Sequence, residues 1–414
     1  MKVKLVTFVF TLILLLGKAY AGGFQLNEHS AKAMAMGGAF TAVSDDPSAL
    51  YFNGAGILQF DGTHFMLGTA MIAPMFSFRG VTPAVTQYDA KKALFFPTHF
   101  YATHRINEDL AVGLAFNSPF GLGSEWDDNW VGKYLAIKTE LQVFTISPVV
   151  AYKLMNNLFV SAGFVYSFAN VTITQKTPQT PFAGDAFTTL EGKDNSAFGY
   201  NFGVMYKPVE GLSLGVSFHS QISYSFKGTA TTTGAPQLAA LLPNGDVTAD
   251  LKTPYNLAFG IAYDVMPELK LSADLQLVGW SSYDTLKVDF SNPAYTDIAS
   301  PRNYKNSYII RFGADYKLLP ELSVLGGIYF DKSPVDPQYV NPSLPEADRL
   351  GFSFGVNYKL TNSLQASAGY LFIRNKQLTV TDSQEHYTGV SSSGFNGTYN
   401  AYANIVSLTL SYSL

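Results

Sequence analysis

The side chains best suited to chemistry are scattered along the chain without the spacing that a catalytic or metal site requires. No two histidines stand four residues apart, the spacing that sets two imidazoles on one metal ion, and no phosphate-binding Walker loop is present. There is no cysteine to form a disulfide or a thiolate site. The histidines are His29, His64, His99, His104, His219 and His386. We therefore predict no enzyme, no cofactor and no metal centre.

A second group of residues is suited to breaking a strand. Pro119 has no amide to give to a β ladder, and Gly121 and Gly123 weaken a strand and permit unusual backbone angles. A strand that contains Pro119-Phe120-Gly121-Leu122-Gly123 is therefore predicted to kink. Inside a membrane, unpaired backbone is tolerated only where it lines a cavity or is covered by protein. The residues alone leave open an ordinary bulge at the rim of a sheet.

The composition indicates a chain that lies partly in lipid. Charged residues make up 14% of the sequence, whereas ordinary globular domains have about 25%. Aromatic residues also make up 14%, and the mean hydropathy of +0.09 is close to neutral. A barrel that alternates lipid-facing and lumen-facing residues has this profile. The net charge of -4 and the absence of a basic run give no support to nucleic-acid binding.

The first residues have the layout of an export signal. Lys2 and Lys4 precede an apolar run at residues 5–16, and Ala19-Tyr20-Ala21 forms a small-x-small cleavage site. The apolar run is too short to span a bilayer, which takes about 20 residues. We predict that residues 1–21 are a cleaved signal peptide, with an uncleaved anchor helix as the alternative.

A period of two residues dominates from residue 63 to the end. In residues 212–227 apolar and polar side chains alternate, and only Ser220 disturbs the order. One strand of that length is much longer than the five or six residues usual in soluble sheets, so we predict that it crosses a membrane. Six short turn signals punctuate this pattern, at 105–109, 153–157, 207–211, 264–268, 317–321 and 359–363.

These turns set the predicted strand count. Six turns join six pairs of strands, and one strand on either side of them gives about fourteen. Longer polar segments separate the pairs, at 177–195, 229–250, 290–306, 332–348 and 382–398. Short turns at one end and long loops at the other are typical of outer-membrane barrels. We predict an all-β protein with a ~14-stranded antiparallel transmembrane β-barrel at 63–414, with a soluble sandwich or propeller as the alternative.

Residues 22–62 do not alternate and are predicted to form an N-terminal hatch, a short helical plug inside the barrel. Ser44 or Asp45 can cap a helix that opens near Pro47. A periplasmic appendage is the alternative.

Several short motifs resemble the outer-membrane family of long-chain fatty acid transporters, which also includes aromatic-hydrocarbon uptake channels. The resemblance covers the whole mature chain. It rests on five motifs in family order, which are Gly23-Phe24-Gln25-Leu26-Asn27-Glu28, residues 44–56 around Asn53-Gly54-Ala55, Ser118-Pro119-Phe120-Gly121-Leu122-Gly123 with the following loop, Trp280-Ser281-Ser282-Tyr283, and Phe330-Asp331-Lys332-Ser333-Pro334-Val335 followed by Leu344-Pro345-Glu346-Ala347-Asp348-Arg349.

The resemblance implies a route for a ligand. The ligand would land on the extracellular loops, move to a pocket that contains Phe24, and leave sideways through a wall opening made by the kink at Pro119, Phe120, Gly121 and Gly123. A plug residue packed against the wall is the other interpretation of Phe24.

This chain departs from the family pattern in places. Gly54 stands where the family has proline, which puts the stiffness of the hatch motif Asn53-Gly54-Ala55 in doubt. Lys176 and Arg302 are the basic residues nearest to the family's carboxylate anchors, and neither aligns cleanly. Arg311 is predicted to face the lumen and to pair with Asp315, two residues further on.

We therefore expect passive transport of a hydrophobic small molecule, a fatty acid or an aromatic hydrocarbon, across the outer membrane of a Gram-negative bacterium. The expected partners are that ligand, outer-membrane lipid and lipopolysaccharide, and the barrel assembly machinery during biogenesis. We expect a monomer. A general porin for polar solutes and a surface adhesin or structural barrel are the alternatives.

Overall fold

The computed structural model describes residues 23–179, 182, 184–239, 241–385 and 394–414. The predicted signal peptide at residues 1–21 lies outside the described residues. Within them the chain forms one continuous antiparallel sheet with a few short helices near its start. No helix in these described ranges is long and apolar enough to cross a membrane.

The strands follow the chain in this order: β1 Thr63–Gly80, β2 Gln87–Asp89, β3 Thr98–Arg105, β4 Leu110–Asn117, β5 Gly121–Glu125, β6 Lys138–Met155, β7 Leu158–Pro178, β8 Asp185–Val209, β9 Leu212–His219, β10 Ser223–Thr233, β11 Gly245–Lys252, β12 Asn256–Met266, β13 Leu269–Val278, β14 Thr285–Phe290, β15 Ile298–Pro301, β16 Ser307–Leu319, β17 Leu322–Asp331, β18 Arg349–Lys359, β19 Leu364–Asn375, β20 Leu378–Val380 and β21 Gly397–Ser413.

Fourteen of these strands close the barrel, which confirms the predicted strand count and fold class. Each pairs with the next around the ring, and β1 pairs with β21 from His64 opposite Ser413 to Gly80 opposite Gly397. Closure pairs each of these fourteen strands on both sides over at least part of its length, which limits unpaired backbone in lipid. The ring consists of β1, β3, β4, β6, β7, β8, β9, β12, β13, β16, β17, β18, β19 and β21.

All six predicted short turns connect neighbouring barrel strands. They lie at one end, here called the turn end, and tyrosines such as Tyr152, Tyr206 and Tyr358 are exposed on the strands beside it. An amphipathic ring is favoured at a membrane–water boundary, because its edge is polar and its face is apolar. Between the ends, the outer surface carries apolar side chains such as Phe164, which is 50% exposed.

The predicted single strand at 212–227 is wrong. The ladder stops after His219 and resumes at Ser223, so the chain forms β9 and β10. Leu214 lies on the outer face, whereas Tyr224 and Phe226 are buried inside the barrel. Because side chains alternate with a period of two, the break moves the apolar face from the lipid side to the lumen side.

Two of the predicted loops are also largely strand. β7 ends at Pro178 and β8 begins at Asp185, so these strands occupy most of 177–195, and β10 and β11 occupy much of 229–250. These strands continue beyond the barrel at the end with the long connections, here called the loop end. The polar residues of these segments give them the sequence character of a loop. Their backbone groups nevertheless pair between strands, β7 with β8 and β8 with β10.

The N-terminal segment, residues 23–62, lies inside the barrel and is almost entirely buried. It contains helix α1 Ala31–Ala35, helix α2 Ala49–Phe52 and a 3-10 helix at Gly54–Gln59. The predicted cap by Ser44 or Asp45 is wrong. Helix α2 follows Ser48, and the carboxylate of Asp46 accepts a hydrogen bond from the Ser48 amide at 2.9 Å.

Polar side chains hold this segment to the barrel wall. The carboxylate of Asp274 accepts hydrogen bonds from the amides of Phe40 and Thr41 at 3.0 and 2.9 Å. Arg311 faces the lumen as predicted, but its predicted pairing with Asp315 is wrong. Its guanidinium donates to the Gly37 carbonyl at 3.2 Å.

Asp315 pairs instead with Lys32 of the N-terminal segment, at 3.4 Å. The wall charges therefore anchor the segment, because buried charges are tolerated only when they are paired.

Candidate functional site

The third strand of the barrel is broken in its middle. β4 ends at Asn117 and β5 begins at Gly121, although both pair with the same neighbour, β6. On its other side β4 pairs with β3. β5 has no strand there among the described residues, although at its end the Lys91 amide donates to the Glu125 carbonyl at 2.6 Å. The wall beside β5 therefore lacks the ladder of backbone hydrogen bonds that joins neighbouring strands elsewhere.

The N-terminal segment covers the broken stretch. The Leu26 amide donates to the Pro119 carbonyl at 2.9 Å, and the Gly121 amide donates to the Phe24 carbonyl at 3.0 Å. Gln25 and Phe120 thus form an isolated antiparallel bridge. Backbone groups freed by the break are satisfied by the plug rather than by a neighbouring strand.

The two glycines of this stretch allow close approach rather than unusual backbone angles. Neither Gly121 nor Gly123 has a positive φ, so that part of the sequence prediction is wrong. A methyl group on Gly121 would lie 3.1 Å from a methyl carbon of Leu26. A methyl group on Gly123 would overlap the ring of Phe95. The missing side chains make room for residues from other parts of the chain.

Phe24 lies at the centre of an aromatic cluster. Its ring is 5% exposed and makes edge contacts with Trp280, Phe120 and Tyr283, at centroid distances of 4.8, 6.0 and 5.7 Å. The preceding residue, Gly23, has φ +68 and lies against the Trp280 ring, where a side chain would collide. Edge contacts of this kind favour a defined ring position.

Phe24 also separates two cavities. The first, the loop-end cavity, has an empty volume of about 1930 Å³ and is mostly apolar. The second, the wall cleft, has about 1370 Å³, open space included. Phe24, Leu122, Leu141 and Leu344 line both of them. Displacement of the Phe24 ring would therefore join the two spaces.

The lining of the wall cleft includes residues from both faces of the barrel wall. On β6 it is lined by Leu141 and Val143, which are buried on the lumen side, and also by Gln142, which is exposed on the outer side. Phe96, 57% exposed, lines the same cleft. The cleft lies beside β5, where the ladder is missing.

An ion pair holds the start of the N-terminal segment in place. Arg349 donates to the Glu346 carboxylate at 2.6 Å and to the Gly23 carbonyl at 2.6 Å. Glu346 is buried in the connection before β18, and burial raises the pKa of its carboxyl to about 7, although the neighbouring guanidinium opposes the shift. This contact links the plug to the opposite wall.

The two predicted carboxylate anchors differ in position. Lys176 is outside both cavities, where its ammonium donates to the Asn129 side chain at 3.1 Å. Arg302 lines the loop-end cavity, and its guanidinium lies 3.5 Å from the Glu385 carboxylate, with both side chains 11% exposed. Its Nε has no hydrogen-bond partner among the described residues.

The predicted hatch motif ties the plug to the wall. The fully buried Asn53 amide donates to the carbonyls of Thr41 and Val204, both at 2.9 Å. Ala55 is also fully buried. A methyl group on Gly54 would lie 2.8 Å from Ser161 Oγ and 2.9 Å from a Val149 methyl carbon. Close contact with the wall thus explains glycine at position 54.

Sequence reasoning missed several residues that the fold brings to this place. Phe95 carried no signal of its own, because an isolated aromatic residue has no distinctive spacing, and Arg349 was visible only as the end of a family motif. Trp280 and Tyr283 were visible only as a family motif without a role. Glu385 lies far from Arg302 in sequence, so their pairing depends on the fold.

The family model described as "Outer membrane protein transport protein (OMPP1/FadL/TodX)" matches residues 12–414. Among curated proteins, the chain is 25% identical to the "Long-chain fatty acid transport protein" of Escherichia coli strain K12, over 93% of this chain and 95% of that protein. It is also 25% identical to the "47 kDa outer membrane protein" of Pasteurella multocida strain Pm70, over 92% and 94%.

Solved structures show the same fold. A Pseudomonas aeruginosa FadL homologue matches with a TM-score of 0.86 and 20% identity, over 95% of this chain and all of that one. The Pseudomonas putida toluene transporter TodX matches with a TM-score of 0.74 and 16% identity, over 94% and 99%. The chain therefore belongs to the OMPP1/FadL/TodX family of outer-membrane transport proteins, and its fourteen-stranded barrel lies in the outer membrane.

Proposed function

We propose that this barrel carries hydrophobic small molecules passively from the loop end to the interior of the membrane, by lateral diffusion through the wall beside β5. The molecule enters the loop-end cavity, displaces Phe24, passes into the wall cleft and leaves between β5 and the segment before β3. Transport runs down the concentration gradient and needs no energy input.

One observation carries this proposal: the wall cleft is lined by residues from both faces of β6 and shares Phe24 with the loop-end cavity. A strand break would be costly in lipid if its backbone groups stayed unpaired. The Phe24 and Leu26 backbones pair with them, and those bonds are few enough to break reversibly. The sideways direction also suits an apolar molecule, which gains free energy on leaving water.

The straight route along the barrel axis is poorly suited to such a molecule. The N-terminal segment fills the turn end, and the lining of the space above it includes hydrogen-bonded side-chain pairs, Asn117 with Thr145 and Asn201 with Ser147. An apolar molecule would have to separate hydrogen-bonded groups to pass that way, which carries a free-energy cost.

The charges of the loop-end cavity bear on the substrate class. Relatives are named for long-chain fatty acids and for toluene. Glu385 already neutralises Arg302, so a carboxylate entering the cavity would have to compete with it. This favours uncharged aromatic hydrocarbons over fatty acids as the preferred substrates. The free Nε of Arg302 is the feature that favours fatty acids as the second candidate.

The proposed surroundings of the barrel follow from its outer face. Lipid and lipopolysaccharide contact the apolar belt, the barrel assembly machinery inserts the chain, and the protein works as a monomer without catalysis. The family consists of transport proteins, in agreement with this view.

The test is uptake of radiolabelled toluene and oleate by cells that lack outer-membrane hydrocarbon and fatty acid transporters and express this chain. A variant with Pro119→Thr, Gly121→Val and Gly123→Thr fills the space beside β5. We expect the wild type to take up at least one compound and the variant to lose that uptake while remaining a folded barrel.

A difference in migration between unheated and heated samples on a denaturing gel reports the folded barrel for each protein. Uptake that survives in the variant would rule out the lateral route. Uptake of a small sugar, without any uptake of toluene or oleate, would establish a general porin instead.

A further inference from the structure

The opening beside β5 is filled by one aromatic side chain, that of Phe95. Gly123 pairs with Glu140 of β6, so a side chain at position 123 would point to the same face as Glu140 and as Gln142, which is exposed on the outer side. The Phe95 ring occupies that place, because a methyl group on Gly123 would overlap it. The ring therefore lies within the wall, between the segment before β3 and β5.

The backbone of Phe95 is fixed on the side away from the opening. Its amide and carbonyl bond to the carbonyl and amide of Ile72 on β1, at 3.0 and 2.8 Å. Its neighbour Phe96 points to the outer surface and is 57% exposed. The Phe95 ring is thus held at a fixed hinge, and none of its own backbone hydrogen bonds needs to break when the ring turns.

A ring can open this gap at far lower cost than a strand can. Rotation of a side chain is fast and breaks no backbone hydrogen bond. Rupture of a β ladder inside lipid, by contrast, leaves polar groups unpaired, and each of them costs several kcal/mol. The wall cleft lies directly behind the ring and is lined by it.

We propose that the Phe95 ring is the gate of the lateral opening and that it sets the width of molecule that can leave. The ring fills the place that a side chain at Gly123 would otherwise occupy. This inference rests on the proposed lateral route and adds the residue that controls it.

The chain has no cysteine, so one engineered thiol can be labelled without background. Phe95→Ala removes the ring, and Phe95→Trp enlarges it. Phe164→Ala, on the lipid-facing surface of β7 and outside both cavities, is the control. Uptake of toluene and of the wider hydrocarbon biphenyl is measured in the same transporter-deficient cells.

We expect Phe95→Ala to raise biphenyl uptake about fivefold, as a barrier lower by roughly 1 kcal/mol would do, with a smaller increase for toluene. Phe95→Trp is expected to reduce uptake of both compounds, and Phe164→Ala to leave both unchanged. Phe95→Cys should behave like Phe95→Ala. Labelling its thiol with benzyl methanethiosulfonate should restore the wild-type rates, and a reductant should reverse that restoration.

Two outcomes overturn the gate while leaving the lateral route intact. In the first, the triple variant at 119, 121 and 123 loses uptake but the Phe95 variants match the wild type. In the second, Phe95→Ala raises uptake of both compounds equally, so that the ring does not select by width. If the triple variant keeps full uptake, the lateral route itself fails, and the gate fails with it.

Discussion

The carbonyl oxygen of Phe24 accepts a hydrogen bond from the backbone amide of Gly121 at 3.0 Å, although the two residues lie almost a hundred positions apart. The bond joins the start of the plug to the broken third strand. The Phe24 ring, on the same residue, separates the loop-end cavity from the wall cleft. Movement of this one residue would therefore uncover the strand break and connect the cavities together.

The first prediction concerns Phe24→Ala. Removal of the ring joins the loop-end cavity to the wall cleft and removes the contacts with Phe120, Trp280 and Tyr283. We expect faster uptake of toluene in cells and no increase in sugar uptake, because the rest of the plug stays anchored. Phe164→Ala, which removes a lipid-facing ring, is the control and should change neither rate. A slower toluene rate in Phe24→Ala would show that the ring binds the ligand rather than blocks its path.

The second prediction concerns the charge pair in the loop-end cavity. Glu385→Gln leaves the Arg302 guanidinium without its counter-charge, so a carboxylate ligand gains a charge-assisted partner. The ratio of oleate to toluene uptake should rise in Glu385→Gln and fall in Arg302→Met. Lys176→Met, which changes a cation outside both cavities, should leave the ratio at the wild-type value. If the wild type and the three variants all show the same ratio of oleate to toluene uptake, Arg302 is excluded as a determinant of substrate class.

The third prediction concerns Asn53→Ala. The substitution leaves the carbonyls of Thr41 and Val204 buried without their donor, and such groups cost about 1–3 kcal/mol each. We expect the free energy of unfolding of the purified barrel in lipid vesicles to fall by about 2–3 kcal/mol in urea titrations. Asn195→Ala, on an exposed side chain, should stay within about 0.5 kcal/mol of the wild type. A similar loss in both variants would argue against a special role of Asn53.

The fourth prediction concerns Gly54→Pro, which restores the proline that the family has at this position. Gly54→Pro places ring atoms where the backbone meets Ser161 and Val149 of the wall, so we expect loss of stability despite the stiffer turn. Truncation of Val149 in the double variant Gly54→Pro, Val149→Ala should recover part of that loss relative to the Val149→Ala background. Urea unfolding of Gly54→Pro, Val149→Ala and the double variant measures these changes in the free energy of unfolding. If Gly54→Pro proves more stable than the wild type, close packing is not the reason for glycine here.

The fifth prediction concerns pH. Burial raises the pKa of Glu346 to about 7, above the 4.5 expected of an exposed glutamate. The folded barrel therefore holds this proton more tightly than the unfolded chain does. The stabilisation is complete below about pH 4.5 and is lost as the pH rises through 7.

Urea unfolding at pH 5 and pH 8 compares the wild type with Glu346→Gln. The wild type should lose more stability between the two pH values than the variant does, because the amide does not titrate. Identical pH differences in the two proteins would place the ionisation of Glu346 outside this range.

Much of the fold could be predicted from the sequence because each signal is local. Alternation with a period of two marks a half-exposed strand wherever it occurs, and the turn residues mark where strands reverse, so fourteen strands could be counted along the chain. The break at Pro119 was predictable for the same reason, since a missing amide weakens a ladder whatever lies beside it.

Alternation does not reveal which face of a strand meets lipid, and this is why residues 212–227 were misjudged. Their apolar side chains keep the same parity, yet those before residue 220 face outward and those after residue 222 face the lumen. The interruption between β9 and β10 makes that change, and it is bonded by Tyr200 of β8 and by Thr253, which follows β11.

The sequence by itself therefore determined the barrel, its strand number, its membrane setting and the place of the broken strand. Only the tertiary structure decided what fills the break. Phe95 meets Gly123, Phe24 meets Gly121, and Arg302 meets Glu385, and each pair joins distant parts of the chain. Closure of the barrel around the plug brings these residues together, and no local pattern of residues encodes a contact made by closure.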